Sequence, residues 1–443
     1  MMIKRLCRIL MAGLSGLFLA CVRPVPFSCA EEAPVILGDE QFNEYLPLLE
    51  GKRAALFTNH SGIVGDKTDG SVVPDGQQPD LIPFGRDVRG NEVTGGQHIL
   101  DALLEREVNV TAVFSPEHGF RGTADAGESV DSSVDEQTGV PLLSLFYEGS
   151  HYPSPESMEC FDTLVVDIQD VGLRFYTYHL TLYYLMDACA QNDKDVIILD
   201  RPNPNGFYVD GPILRPEFAS GVGLLPIPVV YGMTLGELAG MINGEGWLEA
   251  GKDACSLTVI PCRNYTHQTK ASLIRNPSPN LKDMRAVYLY ASVCFFENTA
   301  CSVGRGTEYP FEVYGSPYLE NEETCDFTFI PVSMPGAAAP LYEGVLCHGY
   351  DLRTKPLQMI WEEGIHLEYL IQAWKAVKKA HPEVSFFGVP DEKGRYWIDK
   401  LSGTDQVRLM IEAGKTAEEI KAAWQDEIRL FKEQRKPYLL YKE

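Results

Sequence analysis

Four short apolar runs, each followed at once by a polar loop, constrain this chain more than any other feature of its sequence. Arg53 to Phe57 leads into Thr58-Asn59-His60-Ser61-Gly62, and Val108 to Phe114 into Ser115-Pro116-Glu117-His118-Gly119. Thr163 to Val166 leads into Asp167-Ile168-Gln169-Asp170-Val171-Gly172, and Val196 to Leu199 into Asp200-Arg201-Pro202-Asn203-Pro204-Asn205-Gly206. Continuous apolar runs of this length, bounded by Gly, Pro and Asn, are what strands buried on both faces require. Helical spacing fills the intervals, roughly from His98 to Arg106 and from Tyr178 to Gln191, where Leu180, Tyr183, Tyr184 and Met186 share a face. Strand alternating with helix predicts an α/β fold built on a Rossmann-like parallel sheet. In such sheets ligands bind beyond the carboxyl ends of the strands, so the four loops are expected to meet at one crevice. Turn chemistry alone explains any one of them; four in succession point to a site.

Beyond Gly206 the pattern loosens. Thr234 with Glu237 is a capping box opening a helix to about Asn243, and residues 257–260 read as a further strand. Asn276-Pro277-Ser278-Pro279-Asn280 is a turn cluster, and Val303-Gly304-Arg305-Gly306-Thr307 a Gly-rich loop. Leu367 to Lys379 and Ala417 to Lys432 read as amphipathic helices, the second capped by Thr416 with Glu419. The expected organisation is a Rossmann-like catalytic domain over residues 31–258 and a smaller α/β domain over 259–443 that completes the cleft, preceded by a targeting segment.

That segment has Lys4, Arg5 and Arg8 ahead of an apolar run from Ile9 to Ala20, the arrangement of a secretory signal peptide over residues 1–30, with small residues before Glu31. Cys21 offers a second reading, as the lipidated residue of an imperfect lipoprotein site. The run is too short to span a bilayer. An exported protein, periplasmic or secreted, is expected. Removing residues 1–30 takes four basic and no acidic residues and moves the formal charge from -24 to -28. Such a balance repels nucleic acid and anionic lipid, and an anionic group on a ligand must be met by individual arginines. Eight cysteines remain after residue 30. An oxidising compartment permits disulfides among them, while buried free thiols are the plainer alternative.

The chain has no GxGxxG after a strand, no P-loop, no GxSxG elbow and no HExxH, so no dinucleotide or other cofactor and no metal is expected. What remains is carboxylates on loops. Partly desolvated carboxyls at a sheet edge divide their labour, one held protonated as an acid and another ionised, and that is what glycoside hydrolysis demands. Arg174-Phe175-Tyr176-Thr177-Tyr178 offers aromatic rings for a sugar, although core packing is the commoner use of Phe and Tyr.

Together the loops resemble the exported exo-β-N-acetylmuramidases of the NamZ type. The segments that carry the resemblance are TNHSGI (58–63), FSPEHGFRGTADAGE (114–128), DIQDVGLRFYTY (167–178), DRPNPNG (200–206), PIPVVYGMTLGELAGMI (226–242), NPSPNL (276–281), SVGRGTEYPFE (302–312) and GTDQVRLMIEAGKTAEEI (403–420). In this order they span nearly all of the chain after the leader. The chain departs where the family reads FEGTN, having Phe296-Glu297-Asn298-Thr299-Ala300, and where Lys282-Asp283 replaces the usual Pro-Thr after NPSPNL.

The resemblance implies release of terminal N-acetylmuramic acid from the non-reducing end of peptidoglycan fragments, with Glu117 as general acid. It leaves Glu128 and Asp167 as further catalytic carboxylates. Asn59, His60, His118, Arg121, Asp170, Arg174, Tyr176, Arg201, Asn203, Asn280, Glu297 and Arg305 are the expected substrate contacts. Muramic acid carries a lactyl carboxylate, for which Arg174, Arg201 and Arg305 are candidates. The expected partners are peptidoglycan-derived glycans or muropeptides, with no nucleic acid and no stable membrane span. Two other classes stay open: a wall-glycan binding protein without activity, and a metal-dependent hydrolase using Asp167, Asp170 and His118.

Overall fold

A computed structural model describes residues 34–65, 96–116, 133–145, 149–271, 273 and 275–443. The targeting segment expected over residues 1–30 and the positions of Glu117, His118, Arg121 and Glu128 lie outside the described residues. The strands are, in chain order, β1 (Arg53–Thr58), β2 (Asn109–Phe114), β3 (Ser133–Val134), β4 (Pro141–Leu143), β5 (Thr163–Asp167), β6 (Asp195–Leu199) and β7 (Ser256–Ile260). They form one sheet in the order β3-β4-β2-β1-β5-β6-β7, with only β3 antiparallel to its neighbour. From β4 to β7 this is the doubly wound strand order of a Rossmann sheet. All four apolar runs became central parallel strands, each buried over most of its length toward the carboxyl end.

Side-chain alternation divides the sheet into two faces. Ala55, Phe57, Leu164, Val166, Val196 and Ile198 face one layer; Ala54, Leu56, Val165, Ile197 and Leu199 face the other. Two short helices, α1 (Phe42–Leu49) and α2 (Ile99–Leu104), bring Tyr45, Leu49, Ile99 and Leu103 against the second face. The helices α3 (Pro155–Glu159), α4 (Tyr178–Gln191) and α5 (Leu235–Gly244) pack on the first face, and their apolar residues merge with the core of the carboxyl-terminal half. Fully burying a side chain such as Phe57 contributes about 1.5 to 3 kcal/mol.

The remaining helices are α6 (Met284–Val293), α7 (Leu357–Glu363), α8 (Glu368–Ala380), α9 (Trp397–Ser402), α10 (Gln406–Glu412), α11 (Ala417–Ala422) and α12 (Gln425–Arg435). A small antiparallel sheet of β8 (Val313–Ser316), β9 (Phe327–Phe329) and β10 (Cys347–Asp351), in the order β8-β10-β9, lies among them. The helix expected from Ala417 to Lys432 is in fact two, α11 and α12. Trp424 breaks it: the ring is buried and its indole N–H donates to Asp210 at 2.9 Å, which holds this residue off the helical path. The capping boxes at Thr234/Glu237 and Thr416/Glu419 are both formed.

Position 258/259 falls within β7, and the chain returns to the large sheet at its end, where the Tyr441 hydroxyl donates to Asp200 at 2.6 Å. The eight cysteines after residue 30 are all free thiols. Among the described residues no helix is long and apolar enough to cross a membrane.

Candidate functional site

The strand order reverses direction at β1, with β2 on one side and β5 on the other, so the crevice of a doubly wound sheet opens at the carboxyl end of β1. Asn59 stands there, fully buried. Its amide N–H donates to the Tyr178 hydroxyl at 2.8 Å, and its side-chain oxygen accepts from the Ser61 backbone at 2.9 Å and the Ser61 hydroxyl at 2.6 Å. Ser61 Oγ in turn accepts from the Gln169 backbone at 3.0 Å, and Gln169 Nε2 donates to the carbonyls of Asp170 and Pro202 at 2.8 Å each. The loops after β1, β5 and β6 are thus one hydrogen-bonded rim.

The turn cluster 276–280 is laid onto the same rim. The hydroxyls of Tyr176 and Tyr178 both donate to the Pro277 carbonyl, at 2.5 and 3.2 Å, with their rings 4.6 Å apart edge to face. His60 Nε2 donates to the Asn276 carbonyl at 2.8 Å; burial holds this imidazole below its usual range, so Nδ1 is a bare acceptor. Asn280 donates to the Gly336 carbonyl at 2.8 Å. The structure therefore brings Asn59, His60 and Tyr176 together with the 276–280 segment, a joining of parts of the chain far apart in sequence.

Beneath the rim lies a buried ionic triad. Arg201 Nε meets Asp167 Oδ1 at 2.6 Å and Nη2 meets Asp167 Oδ2 at 3.1 Å, while Nη2 also reaches Asp39 Oδ2 at 2.6 Å. Asp39 and Asp167 are fully buried, and Arg201 is 4% exposed. Burial first, then the Asp167 charge, outweigh Arg201 and push Asp39 up to about 7. Nothing in the sequence marks Asp39, in a Gly-Asp-Glu turn 162 residues from its partner. Both oxygens of Asp167, expected as a catalytic carboxylate, are on the guanidinium.

Asp170 accepts from the Gly172 backbone at 3.0 Å and from the Tyr231 hydroxyl, and burial lifts it to about 6. Gly172 has a left-handed φ of 74°, and a Cβ there would lie 2.1 Å from the Asn203 amide, so only glycine closes this loop. Asn203 itself bonds to the Met233 carbonyl and to the Asn205 backbone.

The three expected arginines have separate fates. Arg174 is wholly buried and donates to the carbonyls of Pro212, Ile227 and Leu401 at 2.6 to 2.9 Å, which makes it a tie between distant segments. Arg201 is held by the two aspartates. Arg305 pairs with Glu297 at 2.7 Å and keeps 30% of its side chain exposed. Asn298, at the glycine of the family's FEGTN, has a φ of 57°, a conformation that Asn adopts more readily than other side chains do.

A cleft of about 110 Å³ opens beside Pro116, at the carboxyl end of β2. Its wall includes Thr177, Leu180, Thr181 and Tyr184, which recur at helical spacing on one face of α4, together with His151. A larger groove of about 660 Å³ lies near Lys52 and Asn109, at the amino ends of β1 and β2. That edge of the sheet carries none of the predicted loops. Among the described residues no group of three or more His, Cys, Asp or Glu could hold a metal ion.

Comparison with known proteins adds family context. The amino-terminal model of exo-β-N-acetylmuramidase NamZ matches residues 90–285, and the carboxyl-terminal one residues 288–441. The peptidoglycan β-N-acetylmuramidase NamZ of Bacillus subtilis (strain 168) is 34% identical over 417 residues, covering 91% of this chain and 90% of that protein. A crystal structure of a DUF1343 family protein from Bacteroides fragilis NCTC 9343 is 48% identical, with a TM-score of 0.76 over 93% of this chain and 100% of that one. A second DUF1343 family protein from the same strain is 26% identical, with a TM-score of 0.72 over 92% and 99%.

Proposed function

The chain belongs to the exo-β-N-acetylmuramidase NamZ family and is a glycan-acting enzyme, and from that premise we propose that it releases terminal N-acetylmuramic acid from the non-reducing end of peptidoglycan fragments outside the cytoplasm. The observation that carries the reading is the rim. Loops after three parallel strands and the 276–280 segment are bonded into one surface at the switch point of the sheet, and the chain that leaves β2 at Pro116 continues directly into Glu117.

In this reading Glu117 is the general acid that protonates the departing glycosidic oxygen. Glu128, on the same loop, is the second candidate carboxylate. It would lie ~5 to 5.5 Å from Glu117 in a retaining enzyme and ~6.5 to 9.5 Å in an inverting one, while the sugar's own 2-acetamido oxygen supplies a third route. Asp167, with both oxygens on Arg201, supports the rim from below. Arg305 is the arginine proposed to meet the lactyl carboxylate, because Arg174 and Arg201 are buried against protein acceptors whereas Arg305, paired with Glu297, keeps part of its side chain exposed.

Turnover of a chromogenic β-N-acetylmuramide, followed by the anomer of the released sugar, tests the activity and the route together. A folded Glu117→Gln variant is expected to lose at least a hundredfold in kcat on a natural disaccharide, in line with the about 10²- to 10⁴-fold contribution of a general acid. Wild-type turnover by that variant removes Glu117 from the role.

A further inference from the structure

We propose that Lys270, Trp361 and Tyr288 form a binding site for a carboxylate, set against an aromatic wall where the chain leaves the 200–206 loop. The inference rests on the glycosidase reading above only for the source of that carboxylate, which is either the lactyl group of muramic acid or the end of a peptide attached to it.

Three observations carry it. The first is a cation without an anion. Lys270 is partly buried, and among the described residues no carboxylate or carbonyl pairs with its ammonium. Its neighbours are rings instead: Nζ lies 3.1 Å from the centre of the Phe207 ring and 5.5 Å from that of Trp361. Burial pulls its pKa down to about 8, and no nearby charge opposes the fall. Lys355, Lys400 and Lys421, also partly buried, each sit on a carboxylate at 2.5 to 3.2 Å. In a chain with 62 acidic residues against 38 basic ones, a lysine left without such a partner is free to take an anion from outside. The second observation is a pair of bare donors. Trp361 Nε1 and the Tyr288 hydroxyl are buried and have no hydrogen-bond partner among the described residues. An indole N–H can only donate, so an arriving acceptor removes the cost of leaving it unpaired. Burial holds the Tyr288 phenol above its usual range, so it too stays a donor; the Trp361 indole opposes that rise, which puts its N–H beside the same oxygen.

The third observation is the wall. Phe207, Tyr288 and Trp361 meet pairwise, edge to face, with ring centres 5.5 to 6.4 Å apart. Rings packed in this way keep water from the donors, which strengthens an ion pair made beside them, and they offer apolar contact to the alkyl carbons that carry a carboxylate. The wall also adjoins the rim. Phe207 follows directly on Gly206, whose carbonyl meets His267 Nδ1 at 3.2 Å, three residues before Lys270. The same loop carries the Pro202 carbonyl that takes Gln169 into the rim.

The test is direct binding to the full protein, read by calorimetry and by the indole N–H resonances of its five tryptophans, with that of Trp361 assigned through Trp361→Phe. The probes are N-acetylmuramic acid, its lactyl methyl ester, N-acetylmuramoyl-L-alanine and butyrate. Butyrate and at least one of the two muramic carboxylates should move the Trp361 resonance, and the ester should not. Lys270→Met keeps the apolar stem and drops the charge. It should weaken carboxylate binding by about tenfold or more and leave the melting temperature unchanged. A loss on N-acetylmuramic acid names the lactyl group as the source and takes that role from Arg305; a loss on N-acetylmuramoyl-L-alanine alone names the peptide end. A Trp361 resonance that no carboxylate moves, or equal carboxylate affinities in the wild type and Lys270→Met, overturns the proposal. A Lys270-dependent response to butyrate, with no binding or turnover of any muramide, keeps this site and removes the glycosidase reading.

Discussion

Replacing Asp39 by asparagine changes how the stability of the fold depends on pH, and the direction follows from the buried triad. Arg201 carries one positive charge between two carboxylates, Asp39 and Asp167, in a space closed to water. Burial lifts Asp39 from an ordinary 3.8 to about 7; Arg201 opposes the rise, Asp167 and Glu40 add to it, and the Gly65 N–H opposes it. A carboxyl whose folded value lies above its unfolded one keeps a proton that the unfolded chain has already released. Its contribution is therefore complete below the unfolded value and is lost as the pH climbs toward the folded one. At about 1.4 kcal/mol for each tenfold change, the wild-type fold should lose on the order of 3 kcal/mol between pH 5 and pH 8 that the Asp39→Asn variant retains. The introduced amide oxygen can still accept from Arg201, so the local geometry persists while the titration is gone. Asp170 and Asp200, both raised to about 6 by burial, are present in both proteins and cancel in the difference. Urea denaturation of both proteins at unit pH intervals measures it. A wild-type minus variant difference that stays constant from pH 5 to pH 8 would mean that Asp39 is ionised throughout, and the argument from two carboxylates sharing one guanidinium would fail.

Other tests address packing and thiols. Arg174→Met should cost on the order of 3 kcal/mol or more, because the carbonyls of Pro212, Ile227 and Leu401 lose their donor inside the protein; a loss of stability below about 1 kcal/mol in denaturant titration would contradict the tie. In the protein lacking residues 1–30, Ellman's reagent should reach Cys160 and Cys325 quickly and the other six cysteines only on denaturation, since those six are buried. Fewer than eight reactive thiols in the denatured, unreduced protein would show that disulfides form after all.

The expected strands and most of the expected helices were legible because their signals are local. Burial on both faces demands an unbroken apolar run, as in β5 and β6, and a capping box such as Thr234 with Glu237 lies within four consecutive residues. Trp424 is the exception: apolar periodicity continued through it, and a hydrogen bond to Asp210, 214 residues away in sequence, ended the helix.

The candidate site was legible as a set of loops but not as a set of roles. Local pattern was enough to specify that polar loops follow four buried strands, and the parallel arrangement then puts their beginnings on one edge. Which partner each polar side chain meets on that edge follows from the folded arrangement alone. Asp167 and Arg201 read as site residues, and in the fold they bond to each other, Arg201 also to Asp39, while Arg174 bonds to three carbonyls. Hydrophobic burial depends on composition over a few residues, whereas a buried charge takes whichever partner the fold brings within about 3 Å, and that partner has no fixed spacing in the chain.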